Sequence, residues 1–209
     1  GDEFIKVIYW MENLICSQRL ITDITEASKR ISRLVDAIKS HVHMDQANEM
    51  QHTDIQRDIE NTITLLCYRI NEKNITLQLN FCRERLMIPA YVGELNQVWA
   101  NIIDNAIFAV PQNGRLVIET EYDRDFARAR FIDNGPGIPP ENITLIFDPF
   151  FTTKNVGEGT GIGLDIVNRV VKKHRGMVSV DSVPGRTEFT VCIPLKENIT
   201  QSDLRSTAP

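Results

Sequence analysis

The spacing of apolar and polar positions divides this chain before any motif is considered. Between residues 21 and 42, Ile21, Ile24, Ile31, Leu34, Val35, Ile38 and Val42 recur at three- and four-residue steps, a narrow stripe like a heptad seam. The stripe predicts a long amphipathic helix beginning near Met11, with Lys29, Arg30, Arg33 and Lys39 on a solvated face. It can pack within one chain or in a helical bundle shared by two, and its narrowness suits the bundle better. The polar stretch 46–53 breaks the pattern and marks a boundary. Beyond it, Asp54 is placed to cap a helix carrying Ile55, Ile59, Ile63, Leu66 and Ile70 and ending before Asn74. Ile75, Leu77, Leu79 and Phe81 alternate with polar residues, the mark of a half-buried strand. Further helices are predicted over 92–110 and 162–174, and strands over 115–122, 128–133, 177–181 and 188–193. Helices and antiparallel-looking strands around one sheet make an α/β sandwich.

Composition narrows the picture only a little. The 209 residues, 42% hydrophobic and 24% charged, suffice for one well-buried domain and an accessory element. A net charge of -5 argues against a nucleic-acid surface, which needs a basic excess, so any phosphate binding has to be local. Cys16, Cys67, Cys82 and Cys192 lie in apolar segments without CxxC spacing or His neighbours. They read as buried thiols in a reducing cytoplasm. No apolar run approaches the ~20 residues of a membrane span, and residues 1–15 lack the features of a signal peptide. No membrane contact is expected from this segment, which leaves room for a sensor or membrane part elsewhere in a longer protein.

Chemistry concentrates between Asn101 and Leu164. Asn101 and Asn105 stand four apart on one predicted helix, so both amides project from the same face. An amide oxygen is a hard neutral ligand that suits Mg²⁺, an ion that takes one or two protein ligands beside phosphates, and Asn105 is the expected direct ligand. By itself such a pair more often makes local hydrogen bonds. Asp133 ends a strand and enters Asn134-Gly135-Pro136-Gly137, where the glycines let the main chain pass close to a flat ligand. A carboxylate there can accept the exocyclic N–H of adenine and rejects guanine, although Asp-Asn-Gly is also a common turn.

Residues 157–164 hold Gly157, Gly159, Gly161 and Gly163 ahead of a helix whose N–H groups and dipole form an anion site. Dinucleotide folds also use such a loop, but they need an opening βαβ unit that this pattern lacks. Between the glycine segments, Phe147-Asp148-Pro149-Phe150-Phe151-Thr152-Thr153-Lys154 reads as a lid clipped to the core by its Phe residues, with Lys154 reaching terminal phosphates. The plainer alternative is a loop stapled by aromatics.

In this order, the segments resemble the N, G1, F and G2 boxes of the catalytic domain of sensor histidine kinases, within the Bergerat-fold group that includes gyrase, mismatch-repair ATPases and heat-shock chaperones. The likeness runs from about residue 54 to 195, and Gly185-Arg186-Thr187-Glu188-Phe189 is similar to the family's last glycine-threonine-phenylalanine segment. It implies Mg-ATP binding, with Asn101 and Asn105 as the N box, Asp133 on adenine and Gly135 and Gly137 in the first glycine turn. It further implies Thr153, Lys154, Gly159, Thr160, Gly161, Ile162, Gly163, Leu164 and Thr187 around the nucleotide, with Asn101 and Lys154 closest to catalysis.

Where gyrase-like members carry a water-activating Glu, this chain has Asn101, which favours transfer over hydrolysis. Many histidine kinases place Lys or Arg three residues after the metal Asn; here that residue is Phe108. The family's acceptor His is usually followed by an acid, yet His41, His43, His52 and His174 are followed by Val42, Met44, Thr53 and Arg175. The resemblance therefore implies a helical segment over 1–48 like the second helix of the dimerising hairpin, an ATP-binding domain over 49–195 and a disordered tail over 196–209. The acceptor His is expected on a helix upstream, with homodimerisation in the full-length protein and a response-regulator receiver domain as partner. A Bergerat ATPase of another branch and a degenerate nucleotide-binding scaffold are the alternatives.

Overall fold

The computed structural model describes residues 10–11, 17–21, 49–154 and 159–196. These fall into two compact units, one holding the described residues up to 21 together with 152–154 and 159–160, the other holding 49–151 and 161–196. In the first unit, residues 10–11 and 17–21 are helical, as expected near Met11. The rest of the 21–42 stripe, its charged face, His41, His43, Cys16, the boundary near residue 48 and the tail beyond Lys196 lie outside the described residues. Among the described residues, no helix is long and apolar enough to cross a membrane.

The second unit begins with β1 (Gln51–Asp54) and α1 (Ile55–Glu72), then β2 (Thr76–Asn80), β3 (Met87–Ala90) and α2 (Val92–Ala109). There follow β4 (Arg115–Asp123), β5 (Phe126–Asp133), the short α3 (Pro140–Ile143), α4 (Gly163–Lys173), β6 (Met177–Val183) and β7 (Arg186–Pro194). Five strands form one sheet in the order β2-β4-β5-β7-β6, and β1 pairs with β3 in a small second sheet. The result is the α/β sandwich that the pattern predicts, with the short β3 and α3 added to it and two further differences. First, β2 runs parallel to β4, with Leu77 opposite Leu116, because the chain crosses over through α2 between them. Second, β1 overlaps the end of the polar stretch taken as a boundary, and four residues without alternation give no strand signal.

Local chemistry explains where elements start and stop. The Asp54 carboxylate accepts the Gln56 N–H at 3.1 Å and caps α1, and Asn74 adopts a left-handed φ of 50° that ends it. The last turn of α2 contains no basic residue, but Lys73 Nζ donates to the carbonyls of Ile107, Phe108 and Val110 at 2.8, 2.9 and 3.0 Å. A cation from a neighbouring turn thus caps the negative end of the helix.

The core forms where α2 and α4 cover one face of the sheet. Val98, Trp99, Ile102 and Ile103 of α2 and Val167, Val170 and Val171 of α4 are fully buried with Leu116, Ile118 and Val191. Trp99 stacks on Phe131 of β5 with ring centroids 5.9 Å apart. Cysteines follow the packing unevenly: Cys192 is buried, Cys82 is half-buried and Cys67 is exposed. Cys67 therefore departs from the expected buried thiol, because α1 buries only a stripe through Ile55, Ile59 and Ile70 and turns Leu65, Cys67 and Tyr68 outward.

Candidate functional site

Helix α2 places Asn101 and Asn105 one turn apart, and the burial of Ile102, Ile103 and Ala106 on its other side fixes the face they present. The Nδ2 of Asn101 is buried and has no hydrogen-bond partner among the described residues. A Cβ on Gly163 would stand 2.9 Å from Asn101 Oδ1, so the start of α4 approaches this amide only because residue 163 has no side chain. Between the two amides, Asp104 is ion-paired with Arg69 of α1.

Asp133 is the last residue of β5 and is only 4% exposed. Burial pushes its carboxyl above the ordinary range, and the Gly135 N–H bonded to its Oδ1 at 2.8 Å pulls the other way without cancelling that effect. Register places Asp133 opposite Thr187 of β7, itself buried. From Thr187 a short relay leads back to the glycine turn: its Oγ1 lies 2.9 Å from Ser182 Oγ, which accepts the Ile138 N–H at 2.8 Å. Gly185 N–H donates to the Gly135 carbonyl at 3.0 Å. Gly137, at φ +87°, presses on the β6–β7 turn so closely that a Cβ would meet the Val183 carbonyl oxygen at 2.8 Å. Ser182 and the turn at Val183–Gly185 support this corner, and the motif reading missed Ser182. The only signal in the sequence was its place across the hairpin from Thr187, which requires the register to be known.

The second glycine segment closes against the end of the aromatic one. Phe150 N–H donates to the Gly161 carbonyl at 2.9 Å, and at φ +67° a Cβ on Gly161 would overlap the Phe150 carbonyl carbon. The aromatic clip takes another form than expected: Phe150 is 72% exposed, Phe147 and Phe151 are half-buried, and the buried anchor is Ile146. Phe150 adopts a left-handed φ of 68°, and its backbone N–H rather than its ring fastens the segment. Helix α4 then starts at Gly163 with Ile162 as a buried N-cap and no side-chain capping bond, and a helix start of this kind is where backbone N–H groups and the dipole favour an anion.

The second unit therefore brings together Asn101, Asn105, Gly161, Ile162, Gly163 and Leu164 on α2 and the start of α4, and Asp133, Gly135, Gly137 and Thr187 at the ends of β5 and β7. It does not include Thr153, Lys154, Gly159 and Thr160, which belong to the first unit. There, Thr152 Oγ1 accepts the Lys154 N–H at 3.1 Å, and Gly159 packs against Thr152 and Lys154. Gly157 lies outside the described residues. A polar cleft of about 600 Å³ lined by His52, Asp54, Arg57, Asp58 and Arg85 contains none of these groups.

The residues present suit a nucleotide with a hard cation. Asp133 is a buried carboxyl at a glycine turn, the Asn101 Nδ2 has no hydrogen-bond partner among the described residues, and Gly163 leaves beside that amide a space that a Cβ would fill. The neutral amide oxygens of Asn101 and Asn105 are of the type Mg²⁺ accepts.

Known proteins share the sequence and the fold. Residues 91–197 match the family described as histidine kinase-, DNA gyrase B-, and HSP90-like ATPase. The chain is 33% identical over 158 residues to the sensor kinase CckA of Brucella abortus (strain 2308), a stretch covering 68% of this chain and 16% of that kinase. It thus spans about a sixth of the length of that relative. In structure it resembles the catalytic domain of histidine kinase ThkA, with a TM-score of 0.67 and 30% identity over 72% of this chain and 98% of that one. It also resembles ThkA in complex with the response regulator protein TrrA, with a TM-score of 0.67 and 26% identity over 80% of this chain and 48% of that one. Its glycine turns, amide pair and buried carboxyl stand on a matching sequence and a matching fold, and the chain belongs to the histidine kinase-, DNA gyrase B-, and HSP90-like ATPase family, as a histidine kinase catalytic domain.

Proposed function

We propose that this chain is the ATP-binding catalytic portion of a two-component sensor histidine kinase. It moves the γ-phosphoryl group of ATP to a His on a helix upstream of residue 1, and an Asp of a response-regulator receiver domain then takes the group. The observation that carries this reading is Asn101, half-buried at the Gly163 turn where hydrolytic members of the family have Glu. An amide cannot take a proton from water at neutral pH, so the site holds ATP without activating its hydrolysis. In the transfer, the bond from the γ-phosphorus to the bridging oxygen breaks, a bond to an imidazole nitrogen forms, ADP leaves, and the ring gives up its N–H proton.

In this reading Asp133 accepts the exocyclic N–H of adenine, with Thr187 beside it and Gly135 and Gly137 allowing close approach. Asn105 would hold Mg²⁺, which when bound supplies positive charge to the phosphate oxygens. The glycine segment with Gly159, Thr160, Gly161, Ile162, Gly163 and Leu164 would surround the phosphates, and residues 147–154 would act as the lid, with Thr153 and Lys154 contacting the nucleotide. Phe108, 40% exposed, offers no charge where many relatives carry a cation, which leaves phosphate contacts to Lys154 and backbone amides. That ThkA has been solved with a response regulator supports a receiver domain as partner. Homodimerisation through the N-terminal helical segment and a cytoplasmic location belong to the same reading.

Incubating the chain with labelled Mg-ATP and a separate acceptor hairpin tests the proposal. Acid-labile phosphohistidine should appear on the hairpin and should be lost with Asn105→Ala. Steady ATP hydrolysis without any acceptor would instead assign the chain to another branch of the family, and ATP binding without either reaction would leave a scaffold.

A further inference from the structure

His174 joins the far ends of the two helices that build the site. It follows the last residue of α4 and is 5% exposed. Its Nε2 accepts the backbone N–H of Tyr91, the residue before α2, at 3.0 Å. Its Nδ1 lies 2.8 Å from the Val170 carbonyl, a contact that only an N–H on Nδ1 satisfies. The ring therefore has to carry its proton on Nδ1 and none on Nε2.

The surroundings offer a second proton little welcome. The Tyr91 ring meets the imidazole edge-on at 5.5 Å, and Lys173 Nζ stands 4.5 Å from the Tyr91 centroid. Lys173 also donates to Glu94 Oε1 at 2.8 Å, while Glu94 Oε2 is buried with no hydrogen-bond partner among the described residues. Burial holds the imidazole below its ordinary value, the Val170 carbonyl and Glu94 pull it upward, and Lys173 adds to the lowering.

The same helix pair meets the site at its other end. Helix α4 has 11 residues, roughly 16 Å of rise, and the span from Tyr91 to Asn101 along α2 is about 15 Å. The two helices are thus pinned twice, by the Asn101–Gly163 approach and by the bond from Tyr91 to His174.

We propose that His174 is a positioning residue of the nucleotide site: its neutral ring ties the start of α2 to the end of α4 and so holds Asn101 against the Gly163 turn, and a proton on Nε2 undoes the tie and weakens nucleotide binding. The inference rests on reading Asn101, Asn105 and the start of α4 as the nucleotide site. Protonation sets a ring N–H against the Tyr91 N–H and leaves a buried donor without an acceptor. Because linkage is reciprocal, bound nucleotide must lower the affinity of the ring for its proton by the same factor.

The test uses the full chain and Mg-ATP. Ring nitrogen shifts of His174 are followed by NMR from about pH 8 to about pH 5, with and without saturating Mg-ATP, alongside calorimetric affinities for the wild type and His174→Gln. Gln keeps an acceptor in reach of Tyr91 but does not titrate. Between those limits wild-type affinity should fall roughly tenfold more than that of the variant, the titration of the phosphates being common to both. Mg-ATP should also move the His174 titration to lower pH. Identical pH curves for the two proteins, or a titration that ignores Mg-ATP, overturn the proposal. Should His174→Gln fail to fold in a thermal melt, the paired wild-type titrations decide alone. No Mg-ATP binding at any pH removes the nucleotide reading and this proposal together, whereas binding that is blind to the ring's proton removes only the latter.

Discussion

The two ends of the site are built on different terms. Around Asp133 every support is protein: Gly135, Ile138, Ser182, Gly185 and Thr187 are joined by hydrogen bonds of 2.8 to 3.0 Å. Around Asn101 stand a buried amide Nδ2 with no hydrogen-bond partner among the described residues, a helix start without a side-chain cap and an exposed Phe150 ring. The first end, proposed to take the base, is formed in advance. The second, proposed to take the phosphates, is left for a ligand to complete. Holding the base in a rigid corner leaves the reactive end free to rearrange, which suits a donor that must hand its phosphoryl group to a separate helix.

The comparison can be broken first at its rigid end. Asp133→Asn keeps an acceptor for Gly135 N–H but turns the other oxygen into an N–H₂ that faces the adenine amine, so Mg-ATP affinity by calorimetry should fall on the order of 100-fold. An unchanged affinity would falsify the base-reading role. Next in size is Gly163→Ala, whose methyl would stand 2.9 Å from Asn101 Oδ1. Overpacking of that kind costs about 1–3 kcal/mol and should lower ATP affinity roughly tenfold while sparing adenosine. If both ligands weaken equally, the division into two ends does not hold.

Lys73→Met separates the support of α2 from the chemistry on its face. Three carbonyls lose their cation, so the fold should lose about 1–2 kcal/mol, seen as a lower Tm, with nucleotide affinity nearly unchanged. A variant that melts like the wild type would show that the helix end needs no cap.

The smallest expected effect concerns Asp133 without ligand. Its raised folded-state pKa means the ionised carboxylate is disfavoured in the fold, so its contribution is best below the ordinary carboxylate range and is lost as pH rises through the raised value. Near neutral pH, Asp133→Asn should therefore raise the Tm of the unliganded chain by roughly 2–4 °C, a gain that shrinks as pH falls towards the carboxylate range. A variant that melts lower than the wild type near neutral pH would show that the corner tolerates the charge. Together with the first variant, this tests whether the rigid end trades stability for recognition.

Much of the fold was legible because its signals are local. The alternation at 75–81, the helix predicted over 92–110 and the strand predicted over 115–122 lead to β2, α2 and β4 within a residue or so. Asp54 reads correctly as a cap because capping involves only its own neighbours. β1 and β3 escaped, being four residues each, one of them polar. The parallel setting of β2 escaped because no residue in a strand encodes the direction of its partner. Phe150 was misjudged because the aromatic type suggests a buried ring, whereas the segment is held by the Phe150 backbone N–H and by buried Ile146.

By itself the sequence determined which residues the site has to use: amides one helical turn apart, a carboxylate before a glycine turn, and glycines ahead of a helix. These are short-range patterns, set by backbone geometry and residue chemistry within a few positions. Only the tertiary structure decided why each is needed. Gly163 is required by Asn101, 62 positions away, Asp133 is set beside Thr187 by strand register, and Tyr91 is tied to His174 across the helix pair. Those pairings arise when the two helices close over the sheet and bury Val98, Ile102, Val167 and Val170. They depend on the summed burial of a whole layer, which no single stretch of sequence contains.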